Sequence, residues 1–384
     1  MTALSHRFHW RVLASAGVLT LTLGLTLASP VTAASNKNCY LQINLVSDIP
    51  GLALRTDPNL VNPWGLSLGP TTFFWVSDNG TGVATLYNKA GQSGPVVVTI
   101  PPPAGGTEPS APTGQVFNEF NATSPSDFVV ASGGNSGPSF FIFATEDGTI
   151  SGWNPAVPSF LSSTAILAVD NSASGAIYKG LAIGSNTSGN FLYAANFSAG
   201  TIDVFDGTFT PVVLPPGSFA DPNIPDGFAP FNIQNLDGKL YVAYAKQDAA
   251  KEDEVAGKGL GFVDVFDTDG NFLERVASRG ALNAPWGLAL APANFGRFSN
   301  TLLIGNFGDG LINAFSRRKG HFHFNGRLRG LLGKAITIDG LWALTFGKGD
   351  PNNGPTNRLF FTAGIEDEEH GLFGSLSACQ NLLP

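Results

Sequence analysis

Short apolar runs alternate with polar corners along most of this chain. In the stretch Trp75 to Tyr87 (WVSDNGTGVATLY), an apolar run reaches a corner around Asp78 and Asn79, and a second alternating run leaves it. This pattern predicts a β-hairpin, because strand side chains alternate between two faces and Asn, Asp and Gly favour turns. Similar hairpins are predicted in five further segments: Phe140 to Trp153, Phe191 to Phe205, Leu240 to Phe266, Leu302 to Phe315 and Phe360 to Leu376.

A short strand that opens at a Pro or Gly corner precedes each hairpin. The six openings are Asn62 to Leu66, Pro112 to Val116, Tyr178 to Ala182, Ala229 to Ile233, Ala284 to Leu288 and Asp339 to Ala343. Five units also end in a fourth strand, as at Pro211 to Leu214. A unit that recurs every fifty to sixty-five residues or so is typical of a propeller or a solenoid. The sequence therefore predicts an all-β fold, a six-bladed β-propeller of four-stranded antiparallel blades.

The sixth unit lacks a fourth strand of its own. We expect Tyr40 to Ser47 (YLQINLVS) to supply it and to close the ring, which would leave no open sheet edge at the seam. The only two cysteines, Cys39 and Cys379, flank the two strands that would then pair. A disulfide between them is expected in an exported protein.

The N-terminus has the features of a secretory signal peptide. A basic segment with Arg7 and Arg11 precedes the apolar run Val12 to Ala28, and small residues follow at Val31 to Ala34. The alternative is a retained membrane anchor, but the run is shorter than the roughly 20 residues that a span needs. We expect residues 1–34 to be removed, residues 35–384 to form the propeller, and the product to be periplasmic or extracellular without a membrane span.

Composition and charge narrow the classes of partner. The chain has 21 basic and 29 acidic residues, and removal of Arg7 and Arg11 leaves 19 basic residues and a formal charge of −10. Nucleic-acid binding is disfavoured by this balance. We expect a monomer whose partner is a small polar ligand, a glycan or an envelope protein.

In a propeller of this strand order, the corners between second and third strands share one face with the entries to the first strands. The candidate ligand-binding residues on that face are Asn62, Asp78, Asn79, Asn196, Asn232, Asn306, Asp309, Glu366, Asp367 and His370. Oxygen ligands from several blades, with Asn196, Asn306 and Asp78 foremost, could hold Ca²⁺ or another divalent cation. The alternative is that these residues only form turns, which Asn and Asp favour.

Three further features each leave two interpretations open. His370 follows four acidic residues and is either a general base or part of a solvated loop. The charged segment Lys246 to Glu254 is either a mobile lid or a solvated excursion. Trp64, Trp286 and Trp342 either pack in the core or stack on a ligand.

The His-Glu-x-x-His, Walker and dinucleotide-binding fingerprints are absent from the sequence. The run WVSDNGTGVATLYN and its echoes AANFSAGTIDVFD and IGNFGDGLINAFS resemble NHL-repeat and YVTN-type six-bladed propellers. The segments DPNLVNPWGL and NAPWGLALAP resemble an uncharacterised family of secreted bacterial propeller proteins. The fold is also similar to that of the gluconolactonase group, which implies a divalent metal held by one Glu, two Asn and one Asp.

These observations lead to two functional hypotheses. The first is a binding or interaction module of the envelope or extracellular space, because the loop surface is broad and no catalytic set is assembled. The second is a metal-dependent, Ca²⁺-type hydrolase or lyase of the lactonase-like class that acts in the channel on a small polar substrate. Fold similarity alone does not decide between them, since propellers support unrelated functions.

Overall fold

The computed structural model describes residues 38–382. The predicted signal peptide, residues 1–34, lies outside the described residues. The described chain is almost entirely β, with three short 3₁₀ helices at Ser172–Ser174, Gly296–Phe298 and Cys379–Leu382. Its strands form six blades, as the repeated hairpin pattern predicts.

The strands are numbered in chain order, and the first strand of each blade is the innermost. Before the first blade come β1 (Tyr40–Ser47) and β2 (Arg55–Thr56). Blade 1 contains β3 (Pro63–Ser67), β4 (Phe74–Asp78), β5 (Val83–Tyr87) and β6 (Val98–Thr99). Blade 2 contains β7 (Pro112–Phe117), β10 (Phe141–Thr145), β11 (Thr149–Trp153) and β12 (Ile166–Asp170), with a separate hairpin of β8 (Val129–Ser132) and β9 (Asn135–Pro138). Blade 3 contains β13 (Tyr178–Asn186), β14 (Gly189–Asn196) and β15 (Thr201–Asp206).

Blades 4 to 6 complete the ring. Blade 4 contains β16 (Phe228–Leu236), β17 (Lys239–Lys246), β18 (Phe262–Phe266) and β19 (Phe272–Ser278). Blade 5 contains β20 (Pro285–Leu290), β21 (Leu302–Asn306), β22 (Ile312–Arg318) and β23 (His321–Arg327). Blade 6 contains β24 (Leu341–Phe346), β25 (Arg358–Ile365) and β26 (His370–Ala378), followed by β1 and β2 at its outer edge. Each innermost strand contacts that of the next blade, and β24 contacts β3.

The N-terminal strand closes the ring as expected. Strand β1 pairs antiparallel with β26, from Tyr40 opposite Ala378 to Ser47 opposite Leu372. The disulfide joins Cys39 to Cys379 with a Cα–Cα distance of 5.5 Å, directly beside the start of this pairing. Since β1 is the fourth strand of blade 6, the two ends of the described chain share one sheet.

Small residues near the axis are required by the approach of neighbouring backbones. A Cβ atom on Gly114 of β7 would lie 2.3 Å from the backbone nitrogen of Leu181 in the next blade. A Cβ atom on Gly65 of β3 would likewise lie 2.3 Å from the carbonyl oxygen of Thr113. Glycine at these positions therefore permits the contact between innermost strands that closes the ring.

Blade 3 departs from the four-stranded prediction. The expected fourth strand, Pro211 to Leu214, makes only a single bridge, between Phe205 and Pro211. The segment that follows β15 contains Pro211, Pro215 and Pro216. Proline lacks the N–H that a ladder needs, so this segment cannot extend the pairing along β15.

Candidate functional site

The innermost strands place six side chains at equivalent positions around the axis. Each follows the residue that opens its strand, or Pro230 in β16, and the six are Trp64, Thr113, Lys179, Phe231, Trp286 and Trp342. Trp64 stacks on Trp342 with ring centroids 3.6 Å apart, and its ring centroid lies 6.5 Å from that of Phe231 in blade 4. These tryptophans are 4% exposed or less, so they form an aromatic cluster on the axis. The three tryptophan rings are buried, and they pack against each other at the propeller axis.

Lys179 is the one cation at this level of the described innermost strands. It is 1% exposed, and its Nζ lies 5.1 Å from the Trp64 ring centroid. The same Nζ lies 2.5 Å from Glu146 Oε1 and 2.8 Å from Asp253 Oδ1. Burial disfavours the charged form, but the carboxylates of Glu146 and Asp253 outweigh it and raise the pKa of Lys179. The side chain is therefore a fixed ammonium between two carboxylates and an aromatic surface.

A chain of hydrogen bonds continues from Lys179 around one end of the propeller axis, the end at which the turns between second and third strands lie. This end is here called the channel mouth, and the opposite end the lower end. Glu146 Oε2 accepts a bond of 2.8 Å from Asn79 Nδ2. Asn62 Nδ2 lies 3.4 Å from Asn79 Oδ1 and donates a shorter bond of 2.7 Å to Glu368 Oε2. Side chains of five blades or their entry loops thus share one polar network, which ends on the aromatic cluster where Trp342 Nε1 donates to Asn62 Oδ1 at 3.1 Å.

The carboxyl groups of the mouth carry more negative charge than Lys179 neutralises. Burial raises the pKa of Glu254 to about 8, against the opposing attraction of Lys179. Burial also raises the pKa of Glu368, and the nearby Glu146 and Asp253 add to that effect. A pKa that is raised mainly by burial means that the protonated, neutral form of each carboxyl group is favoured at this position.

The loop after β17 covers the mouth. It supplies Asp253 to Lys179, and Gln247 Nε2 donates a bond of 2.6 Å to the carbonyl oxygen of Phe197. Its far end is held where the N–H of Gly257 donates to Asn283 Oδ1 at 2.6 Å. The charged segment from Lys246 to Glu254 therefore contacts the mouth, and its interpretation as a mobile lid stays a prediction.

The three residues foremost in the predicted metal set bond within or next to their own hairpins. Asp78 Oδ2 accepts from the N–H of Thr85 at 3.0 Å, and Asn196 Nδ2 donates to Asp203 at 2.9 Å. Asn306 Nδ2 donates at 2.9 Å both to the carbonyl oxygen of Ala281 and to Asp309. No hydrogen bond among residues 38–382 joins the three side chains, and metal binding by this set stays a prediction.

The alternation of strand side chains explains this placement. Asp78, Asn196 and Asn306 are the last residues of β4, β14 and β21. The residues that follow them lie at the axis: Asn79 in the polar network, and Phe197 and Phe307 in the aromatic cluster. Successive side chains point to opposite sides of a strand. The residue that faces the axis is therefore the one after Asp78, Asn196 or Asn306 in each hairpin.

The other predicted ligand residues divide between the mouth and its surroundings. Asn232 is 3% exposed, and its Nδ2 donates to the carbonyl oxygen of Trp286 at 2.8 Å, which links blade 4 to blade 5. His370 Nδ1 lies 2.6 Å from Asp48 Oδ2, and this bond raises the pKa of the histidine. Glu366 and Asp367 are exposed and, with Glu368, have positive φ angles of 55°, 56° and 68°. This left-handed turn leads to Glu368, which the network includes.

Sequence reasoning missed Lys179, Asp253, Glu254 and Glu368 as site residues. A signal for Lys179 was present, because alignment of the six strand openings places it where four other blades have Trp or Phe. The acidic residues gave no such signal, since they lie in charged loops that resemble solvated surface. Their role depends on how those loops fold over the mouth.

The lower end of the axis contains a cavity of about 580 Å³. It is lined by the innermost strands and extends from Lys348 and Glu119 to Asn232 and Trp286. Among residues 38–382, no three His, Cys, Asp or Glu side chains converge as a metal-binding group. No helix in the described part of the chain is long and apolar enough to span a membrane.

No family model matches the sequence. An uncharacterised protein of Acanthamoeba polyphaga mimivirus is 33% identical over 342 residues, which cover 86% of this chain and 78% of the viral protein. A second uncharacterised protein of the same virus is 34% identical over 340 residues, covering 86% of this chain and 84% of that protein. These relatives support an uncharacterised propeller family but not the bacterial source that the resemblance implied.

Two solved structures share the fold. A glucose dehydrogenase gives a TM-score of 0.51 at 13% identity and covers 87% of this chain and 99% of its own. A streptogramin B lyase gives a TM-score of 0.50 at 12% identity, with coverage of 88% and 98%. At this identity the similarity shows the propeller fold alone.

Proposed function

The chain belongs to the same family as these uncharacterised mimivirus proteins, and we propose that it is an exported binding module for a small polar ligand with a positive charge. The proposed site is the channel mouth, formed by Asn62, Asn79, Glu146, Glu254 and Glu368 beside Lys179. A small ligand suits this position better than an envelope protein or a glycan, because a loop of the protein itself covers the mouth.

The observation that carries the proposal is the excess of carboxyl groups over Lys179. Glu146 and Asp253 already pair with the ammonium, yet Glu254 and Glu368 lie close enough for their charges to interact with it as well. Burial raises the pKa of both groups, so each tends to hold a proton that a bound cation could replace. Binding of a cation would therefore release protons.

The loop between β17 and β18 gives the ligand a route of entry. Asp253, whose side chain is 72% exposed, is the contact of this loop with Lys179. Water already reaches the Asp253 carboxylate, and Glu146 still pairs with the buried Lys179 ammonium, so this contact can break without unfolding a blade. The aromatic cluster beneath would then form the floor of the open site.

Isothermal titration calorimetry with spermidine, in two buffers of different ionisation enthalpy, tests the proposal. We expect binding at pH 7 with proton release, and a loss of affinity of roughly tenfold for Glu368→Gln, which removes one charge-assisted contact. Glu369→Gln is the matched control, because this neighbouring side chain is exposed. Unchanged affinity in Glu368→Gln, or no binding of spermidine or Ca²⁺, would argue against the mouth as a cation site.

The second candidate is the metal-dependent hydrolase or lyase, favoured by the oxygen-rich character of the same mouth. Carboxylate and amide oxygens are the ligands that Ca²⁺ takes, and Asn62, Asn79, Glu146 and Glu368 present both kinds. Elemental analysis after dialysis against Ca²⁺, followed by assays with lactones and esters, separates the two candidates. About one bound Ca²⁺ together with turnover that chelation abolishes would favour the enzyme, whereas binding without turnover would favour the module.

A further inference from the structure

Blade 3 is the one blade in the described chain that forms a three-stranded sheet. On its outer side, β15 bonds to the following segment only near one end. There the N–H of Val212 donates to the carbonyl oxygen of Val204 at 2.8 Å, and the N–H of Asp206 donates to that of Thr210 at 2.9 Å. Backbone groups two residues apart point the same way, so Ile202 also directs its N–H and C=O outward, where no described strand pairs with it.

A cavity of about 760 Å³ lies along this edge. It is lined by β15, by the segment from Pro211 to Phe228 and by Tyr244 of β17, and is here called the blade-3 groove. Volumes between 300 and 1,000 Å³ or so are typical of ligand-binding cavities. The groove lies beside the blade and shares Gln247 with the loop that covers the mouth, but its lining contains none of Asn62, Asn79, Glu146, Lys179, Glu254 and Glu368.

An unpartnered polar group lies in the wall of the blade-3 groove. Tyr244 is 5% exposed, and its hydroxyl has no hydrogen-bond partner among the described residues. A buried hydroxyl without a partner costs roughly 1–3 kcal/mol, so such groups are normally paired. A ligand group that enters the groove and reaches this buried hydroxyl would satisfy it.

The charge of the groove selects its occupant. Its lining contains Asp203, Asp221 and Asp226 and no Lys or Arg. Asp221 is paired with Arg275 at 2.5 Å, and Asp203 accepts hydrogen bonds from Asn196 and from the Tyr178 hydroxyl. The exposed carboxylate of Asp226 forms no ion pair with any described residue. The groove thus combines an open strand edge, an unpartnered hydroxyl and an acidic lining.

We propose that the blade-3 groove binds an extended, basic peptide segment of a partner protein. The peptide adds to the free end of β15 through backbone bonds to Ile202, beside the segment that already bonds to Val204 and Asp206. One of its polar groups bonds to the hydroxyl of Tyr244. Main-chain bonds supply affinity in this mode of recognition, and the side-chain contacts supply specificity.

Fluorescence anisotropy with the purified protein tests the proposal. The probe is a fluorescein-labelled hexapeptide of alternating lysine and threonine with an amidated C-terminus, compared with a glutamate–threonine version and a version with two central prolines. We expect binding of the lysine peptide, at least tenfold weaker binding of the proline peptide because ladder donors are lost, and no binding of the glutamate peptide. Equal binding of the lysine and proline peptides, or no binding of the lysine peptide, would overturn the proposal.

Two variants locate the site. Tyr244→Phe removes the hydroxyl without changing the shape, and we expect roughly fivefold to tenfold weaker binding of the lysine peptide with an unchanged or higher melting temperature. Tyr241→Phe, three residues earlier on β17 and therefore on its other face, is the matched control and should bind normally. Binding that Tyr244→Phe leaves unaffected would overturn the proposal.

A third variant separates the groove from the channel mouth. Glu368→Gln in the mouth should not change peptide binding, so the outcome is independent of the proposed cation site.

Discussion

Lys179 and Asp253 form an ion pair of 2.8 Å between an innermost strand of blade 3 and the covering loop of blade 4. Lys179 is 1% exposed, whereas the Asp253 side chain is 72% exposed. The pair therefore joins a fixed ammonium to a carboxylate that water already reaches. Because of this asymmetry, we expect Asp253 to be the contact that opens first.

Asp253→Asn is expected to loosen the covering loop with little effect on global stability. We expect the change to lower the free energy of unfolding by only about 1 kcal/mol, because water reaches the Asp253 carboxylate and Glu146 still pairs with the buried Lys179 ammonium. Hydrogen exchange should accelerate for the amides of residues 248–256, while those of β17 and β18 keep their protection. Glu252→Gln, an exposed loop neighbour, serves as the control, and equal exchange in both variants would show that Asp253 does not hold the loop.

Lys179→Ala is expected to leave a cavity suited to an organic cation. The Trp64 and Phe197 rings and the carboxylate of Glu146 remain around the lost ammonium. Removal of one partner from a buried pair should lower the free energy of unfolding by roughly 2–4 kcal/mol.

Propylammonium chloride should restore part of this loss in Lys179→Ala, since a ligand that binds only the folded state stabilises it. Thermal melts with propylammonium chloride and with propanol check the effect. Propanol should do less because it lacks the charge, and Lys179→Met, which fills the volume, should respond weakly. Equal rescue by both compounds would contradict a cation site at this position.

The free energy of unfolding is expected to fall as pH rises from about 4.5 to about 8. Burial raises the pKa of Glu254 from its ordinary 4.5 to about 8, so between these values the folded state holds a proton that the unfolded state has lost. Stability then decreases with pH by at most about 1.4 kcal/mol per pH unit from this group. The raised pKa values of Glu368 and Asp264 act in the same direction.

Glu254→Gln should flatten this pH dependence and stabilise the protein at pH 8 and above. The amide has no proton to lose, so its burial does not become more costly as pH rises. Urea denaturation at several pH values measures the effect, with Glu252→Gln as the exposed control. A variant profile parallel to that of the wild type would place the pH dependence on other groups.

The propeller could be predicted from the sequence because hairpin corners and strand alternation are local signals that repeat. The closing strand could be predicted because the sixth unit lacks a fourth strand of its own. Tyr40 to Ser47 is the predicted strand that belongs to no other unit, and it does pair with β26. The three-stranded blade was harder to predict, since Val212, Val213 and Leu214 read as a strand. The prolines around them exclude the ladder.

The mouth was predictable only in part. Asn62 and Asn79 were found because corner positions identify the face on which they lie. Asp78, Asn196 and Asn306 each precede by one position a residue that lies at the axis, and a corner motif does not show which of two adjacent residues faces the axis. Metal binding by these three residues stays a prediction. Lys179 required the six openings to be compared in register, and its acidic partners depend on loop contacts that no local pattern encodes.

The last prediction concerns the covalent closure of blade 6. The disulfide joins cysteines 340 residues apart, and on the chain-entropy model a loop of this size stabilises the folded state by roughly 5 kcal/mol, an upper figure. The double variant Cys39→Ser, Cys379→Ser should therefore unfold at lower denaturant concentration. It should also lose hydrogen-exchange protection first in β1, because pairing with β26 then has no covalent support.

Reduction should lower the denaturation midpoint of the wild type toward that of the variant and leave the midpoint of the variant unchanged. Equal midpoints for both proteins under oxidising conditions would show that strand pairing alone closes the ring.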